Sequence, residues 1–287
     1  MGRVRRGLAA ALACALTFAA AQVADARAPR LAPYSGTGSW VSIYDTAAWR
    51  DPSRVVATLA ARHIHTLYLQ TSNDRQRTAI EFPAQVAAFI DAAHAAGIRV
   101  VGWYLPSFAA NERDLARIVA GARFTTAAGG RFDSFALDIE STKVRAVPLR
   151  TRRAVALVTA VRRALPRPYT LGAITIDPVG ARYWPGYPFR ALARRVDVFL
   201  PMTYFTTRAS GARAVAAYSI ANVLRLRLLA GDPGFPVHPI GGDARTASLP
   251  ELRAFLGAAT STHTLGASLW EYGETSGAQW ALLQRRS

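Results

Sequence analysis

Cysteine and lysine are almost missing from this chain: Cys14 is the one cysteine, and Lys143 the one lysine among 35 basic residues. Cys14 falls inside an apolar N-terminal run, so a chain processed after that run has neither a disulfide nor a thiolate metal site. No Gly-rich phosphate loop follows any strand-like segment, which argues against an open dinucleotide-binding sheet. No Gly-x-Ser-x-Gly elbow occurs, which argues against an esterase. His63, His65, His94, His238 and His263 stand apart from any carboxylate set at metal-ligand spacing, so neither a metal nor another cofactor is expected. The longest apolar run, Gly7 to Ala20, is too short for a stable membrane anchor.

That run follows Arg3, Arg5 and Arg6 and precedes the small-residue sites Ala24-Asp25-Ala26 and Ala26-Arg27-Ala28. A basic start, an apolar stretch and a small-residue cleavage site make residues 1–28 a secretory signal peptide and predict an extracellular or cell-wall location. Removing its four arginines and one aspartate lowers the formal charge from +17 to +14. Such a balance can steer a protein to anionic wall polymers, acidic polysaccharide or nucleic acid. The arginines spread along the chain without forming a run, however, as codon bias in a GC-rich genome would produce. No nucleic-acid partner is therefore expected. With no coiled-coil pattern and no long apolar face, a monomer is expected.

Residues 29–287 suit one large core, since 51% of the chain is hydrophobic. Strand-like runs occur at 40–45, 64–70, 99–104, 132–141, 170–176, 197–202, 237–241 and 265–270. Helix-like segments or helix-length insertions follow each. Asp51-Pro52 and Ser248 give helix starts, and helices are expected over 83–96, 111–128, 148–165, 211–229 and 276–284. Eight such alternations in a domain of about 250 residues predict an α/β fold: a single (β/α)8 TIM barrel over 29–287.

The most informative strand is Phe132-Asp133-Ser134-Phe135-Ala136-Leu137-Asp138-Ile139-Glu140-Ser141. Phe135, Leu137 and Ile139 share one face; Ala136, Asp138 and Glu140 share the other. The last two would look into the barrel mouth with Cα atoms roughly 6.6 Å apart, two rises of a strand. Like charges held that close raise one carboxyl's pKa and keep an acid protonated near neutrality. The same pair could instead end the strand as ion-pair partners of neighbouring arginines.

Active sites of such barrels form at the C-terminal ends of the strands. Those ends carry Asp45, Gln70, Tyr104, Asp138 with Glu140, Asp177, Tyr204, Asp243 and Trp270 with Glu271, and Trp103 and Trp184 fall near the same rim. Aromatic faces beside carboxylates fit a sugar cleft, in which rings stack on pyranose faces.

Asp133 to Glu140 resembles the fourth-strand signature D-G-x-D-x-D-x-E of glycoside hydrolase family 18, with Ser134 in place of the glycine and Ala136 in place of the middle aspartate. Val196 to Tyr204 resembles that family's sixth strand, ending Met-x-Tyr, where Phe205 replaces the following Asp or Asn. Leu265 to Trp270 is similar to its eighth strand. A competing similarity is to the lysozyme-like barrels of family 25. It rests on Asp45, Gly102-Trp103-Tyr104, Asp138-Ile139-Glu140 and Trp270-Glu271-Tyr272.

Both resemblances imply a glycoside hydrolase acting on N-acetylhexosamine-containing polysaccharide such as peptidoglycan or chitin. Glu140 would be the general acid and later the base. The family 18 likeness further implies substrate assistance: the 2-acetamido oxygen attacks, Asp138 orients that group, Tyr204 hydrogen-bonds it and Trp270 floors the subsite. Asp45, Tyr104, Asp177, Gln70 and Trp184 complete the expected sugar-binding set. The alternatives are a non-catalytic carbohydrate-binding barrel, and a hydrolase for another glycan that pairs Glu140 with Asp45, Asp177 or Asp243.

Overall fold

A computed structural model describes residues 30–284. The expected leader, residues 1–28, lies outside the described residues. A compact unit begins at Pro33 and contains all the elements below.

Eight strands alternate with nine helices among the described residues. Strand β1 is Gly36–Val41, β2 Thr66–Asn73, β3 Arg99–Leu105 and β4 Ser134–Ile139. Strand β5 is Leu171–Thr175, β6 Val198–Pro201, β7 Ile240–Asp243 and β8 Gly266–Trp270. Helices α1 (Thr46–Arg50) and α2 (Pro52–Ala61) follow β1. Helices α3 (Pro83–Ala95), α4 (Asn111–Ala122), α5 (Val147–Ala164) and α6 (Phe189–Ala193) follow β2 to β5 in turn. Helices α7 (Ala212–Ala230), α8 (Leu249–Ser261) and α9 (Gly277–Gln284) follow β6 to β8.

All strands run parallel in the order β6-β5-β4-β3-β2-β1-β8-β7. Two isolated parallel bridges, Phe199 to Val237 and Met202 to Ile240, bring β6 back to β7 and nearly close the barrel. No helix among the described residues is long and apolar enough to cross a membrane.

Local chemistry sets the element ends. The Asp51 carboxylate accepts the Arg54 amide at 3.0 Å, and Pro52 opens α2 with its φ already helical. Ser248 and Glu251 form a reciprocal capping box at the start of α8. Gly231 ends α7 at φ +77°, a left-handed position that glycine fills without penalty. One helix is shorter than expected. Instead of running to Ala128, α4 stops at Ala122, and Thr125 pairs with Arg131 in an antiparallel bridge around the turn at Gly129, φ +86°.

The strands sort their side chains by parity. Val41, Leu67, Leu69, Val100, Tyr104, Phe135, Leu137, Ile139, Ala173 and Phe199 pack in the shell between strands and helices. Trp40, Tyr68, Val101, Trp103, Ala136, Ile174, Leu200 and Ile240 are buried but lie outside that shell, as residues filling the barrel do. Lower in the barrel, the Tyr34 hydroxyl and Ser134 Oγ share a 2.7 Å hydrogen bond, and Ser134 donates to the Thr170 carbonyl at 2.7 Å. A Cβ on Gly172 would come within 2.6 Å of the Tyr34 hydroxyl, so glycine there makes room for the ring.

Candidate active site

Above this packed floor the strand ends open into a cleft of about 190 Å³. Trp40 forms its base, stacked on Tyr68 at 4.2 Å and 11° between planes, with its indole N–H donating to Ser268 Oγ at 2.8 Å. Trp103 and Trp270 stand near it at 5.9 and 6.1 Å and lie 5.9 Å from each other, giving three indoles at one end of the cleft. Such rings present polarisable faces to the apolar faces of sugars. Asp138, Glu140, Gln70, Met202, Tyr204 and Ile240 line the remainder, with Ser42, Tyr44, Asn73 and Arg75 at the β1 and β2 ends.

Strand β4 brings its two carboxylates here because residues two apart face the same way. Asp138 is buried, and its Oδ1 has no hydrogen-bond partner. Burial, and then the charge of Glu140, push the Asp138 carboxyl well above the usual carboxylate range. Burial also raises Glu140. Tyr204 stays a neutral phenol, its ionisation opposed by burial and then by Asp138, Glu140 and Glu271. The Tyr187 hydroxyl donates to the Ile139 carbonyl at 2.9 Å and braces the strand end between the two acids. The cleft therefore holds two carboxyls whose protons burial tightens, one of them with an unpartnered oxygen, and a neutral phenol.

Gln70 joins this group, though its amide is engaged: Oε1 accepts from the Ile43 amide at 3.0 Å. Four residues expected at the sugar cleft are elsewhere. Tyr104 is fully buried on the outer side of β3, and its hydroxyl donates to Asp114 Oδ1 at 3.0 Å. Its register partner is the outward-facing Leu137, whereas Trp103 pairs with the inward-facing Ala136. Asp45 caps α1, accepting the Ala48 amide at 3.1 Å. Asp177 accepts the Val179 and Gly180 amides at 2.7 and 2.8 Å and a hydrogen bond from Tyr218. Trp184 is buried against α5, with the Arg150 guanidinium 4.4 Å over its ring and its N–H on Thr151 Oγ1 at 2.9 Å. Asp243 is held by Arg245 at 2.7 Å. None of Asp45, Asp177 and Asp243 lines the cleft with Glu140.

Asp133, the first acid of the strand-four signature, lies at the other end of β4. It binds His94 Nε2 at 2.9 Å, Arg99 Nη1 at 3.1 Å and the Val100 amide at 2.8 Å. Trp40, Ser42, Tyr44, Asn73, Arg75 and Met202 are among the cleft residues that strand-end reading missed, with the apolar Leu105, Ile174 and Ile240. Parity would have found most of them: 40, 42 and 44 continue one face of β1, as 202 and 204 do on β6. Among the described residues no group of three or more His, Cys, Asp or Glu is placed to hold a metal ion.

No protein-family model matches the sequence. Nor does any curated protein match it significantly. Solved structures do. The endo-beta-1,4-mannanase of Thermotoga petrophila superposes with a TM-score of 0.66 at 10% identity over 88% of this chain and 76% of its own. A chitinase from Chromobacterium violaceum gives 0.63 at 13% identity over 88% of this chain and 98% of its own. The spore cortex-lytic enzyme SleL of Bacillus cereus gives 0.63 at 11% identity over 88% and 74%. The likeness is one of fold. The barrel of this chain is the one those glycan-degrading enzymes use, and the chitinase is matched over nearly its whole length.

Proposed function

We propose that this protein is a secreted glycoside hydrolase that cleaves N-acetylhexosamine-containing polysaccharide, peptidoglycan or a chitin-like polymer. The observation that carries the reading is the pairing of a partly exposed Glu140 with a buried Asp138 whose Oδ1 is unpartnered, in one cleft with Tyr204 and Trp270. A buried carboxylate oxygen without a partner is costly unless a ligand supplies one, and an acetamide N–H is a fitting donor.

In this reading Trp270 floors the sugar whose glycosidic bond breaks. Tyr204 donates to the acetamide carbonyl and Asp138 accepts from its N–H. The carbonyl oxygen attacks the anomeric carbon while Glu140 passes its proton to the departing glycosidic oxygen. Glu140, now a carboxylate, takes a proton from water as that water opens the cyclic intermediate, and the product keeps its anomeric configuration. The raised Glu140 suits the first step, since the acid form has to persist near neutrality.

The second reading, a sugar-binding barrel without turnover, is favoured by two positions. Ala136 offers no carboxylate beneath Asp138, and Phe205 is fully buried, 5.5 Å from Phe255. The test is release of new reducing ends from peptidoglycan and from chitin oligomers by the wild type and by Glu140→Gln. Release lost in the variant supports the hydrolase. Retention on either polymer without release by the wild type supports the binding barrel, and release by both proteins removes Glu140 from the mechanism.

A further inference from the structure

Strand β2 does not keep its parity to the end. Gln70 pairs with Trp103, but Ser72 pairs with Tyr104 and Asn73 with Leu105, so Thr71 is an extra residue with no partner on β3. Such a bulge turns every later side chain to the opposite face. Gln70 and Asn73 consequently both face the cleft, and Arg75, two residues further on, faces it as well.

The segment carrying Arg75 is held firmly. The buried Arg117 donates to the Asn73 carbonyl at 3.1 Å and to the Arg77 carbonyl at 2.9 Å. The Asn73 side chain accepts the Arg75 amide at 2.9 Å and donates to the Tyr44 hydroxyl at 2.8 Å. Asp74 is tied across the rim to Lys143, the only lysine of the chain. The guanidinium of Arg75, by contrast, makes no ion pair or side-chain hydrogen bond among the described residues.

Arg75 also lines a second hollow, of about 370 Å³, which adjoins the cleft across Glu140 and is walled by Asp74, Ser141, Thr142, Lys143 and Tyr183. Here Lys143 and Asp74 offset each other, and Arg75 is the cation of the hollow that no carboxylate among the described residues pairs with. If Glu140 protonates the glycosidic oxygen, the indole-floored cleft takes the sugar on one side of the scissile bond. The second hollow then takes the leaving sugar.

Resting on the glycosidase reading above, we propose that Arg75 is a specificity-determining residue that binds a carboxylate on the leaving sugar, so that the preferred substrate is an acidic N-acetylhexosamine glycan, such as peptidoglycan strands whose lactyl carboxyls are free of stem peptide, rather than neutral chitin. A guanidinium presented by a rigid loop at the edge of a hollow suits bidentate carboxylate recognition.

The experiment compares the wild type, Arg75→Gln and Arg75→Lys on three probes: soluble peptidoglycan glycan strands stripped of stem peptides so that their lactyl carboxyls are free, the same strands with those carboxyls amidated, and chitin oligomers. Both kcat/KM and equilibrium retention are measured on each. The wild type should favour the free-carboxyl strands over the amidated ones by about tenfold or more, the scale of a charge-assisted pair, with added salt narrowing the gap. Arg75→Gln should lose that preference and Arg75→Lys should recover part of it, whatever loss either suffers on chitin oligomers. Equal discrimination by the wild type and Arg75→Gln, in turnover and in retention, would overturn the assignment. Absence of turnover by the wild type on every probe removes the hydrolase reading instead. Retention then still decides Arg75: a charge-dependent preference absent from Arg75→Gln supports it, and its absence from the wild type refutes it.

Discussion

The acids that begin the strands and the polar groups around the cleft are satisfied to different degrees. At the N-terminal end, Asp133 satisfies itself with His94, Arg99 and the Val100 amide. Asp197 does so with Arg162 at 2.6 Å and the Leu171 amide at 2.9 Å. At the C-terminal end, Asp138 Oδ1, Glu271 Oε2 and the Trp103 indole N–H are buried with no hydrogen-bond partner. Buried polar groups left unpaired cost free energy, and folds keep few of them. One end uses its carboxylates to hold the strands together. The other also pairs Asp177, Asp243 and Asp74, but it leaves these atoms beside the cleft unpaired.

The largest test of this contrast is Glu140→Gln. Losing the proposed general acid should lower kcat by about 10²- to 10⁴-fold, with the thermal midpoint unchanged or higher because no structural bond is lost. Asp197→Asn should do the reverse. Replacing the charged partner of Arg162 and the Leu171 amide should cost about 2–3 kcal/mol in urea unfolding, with normal turnover per folded molecule. If Asp197→Asn instead abolished activity in well-folded protein, the division between the ends would fail.

Asp138→Asn joins the two ideas. Asp138 and Glu140 hold their protons more tightly folded than unfolded. Their contribution to stability is therefore fully present below the unfolded carboxylate pKa of about 4 and is lost as pH rises toward the folded values. Asp138→Asn should impair turnover yet raise stability at pH 7 by about 1–2 kcal/mol, a gain that shrinks to nothing near pH 4. A melting series from pH 4 to 8 checks it, and a gain independent of pH would count against the buried acid. The smallest effect is expected from Tyr104→Phe. Removing its bond to Asp114 should cost about 0.5–1.5 kcal/mol, with sugar retention unaltered.

The strand–helix alternation was legible because strands and helices carry different hydrophobic periods, and Asp51-Pro52 and Ser248 mark helix starts by their own chemistry. At the site, what mattered was parity. Gln70, Asp138, Glu140, Tyr204 and Trp270 sit on the inward face of their strands and meet in the cleft. Tyr104 sits one residue off and lands in the outer shell. Asp45 and Asp177 lie past their strands, where backbone amides claim one oxygen of each carboxylate. Trp184 belongs to no strand, and an aromatic in an aperiodic segment carries no signal of which way it faces. Asn73 and Arg75 were hidden for a different reason. A single unpaired residue reverses the alternation of β2, and nothing in the composition of Leu69-Gln70-Thr71-Ser72 announces it.

The seam between β6 and β7 has a mechanical consequence. Seven neighbouring strand pairs are joined by ladders, but this eighth joint rests on two isolated bridges. A hoop strained from within yields where its staves are least fastened, and backbone amides beside that gap should trade their hydrogens with solvent before those of β3 and β4. Met202 and Ile240, themselves the second of the two bridges, line the cleft, and Tyr204 follows just beyond. The wall that carries the phenol is therefore the compliant one, and the wall that carries the two acids is the stiff one. A strain that opened the cleft would move Tyr204 before it moved the two acids.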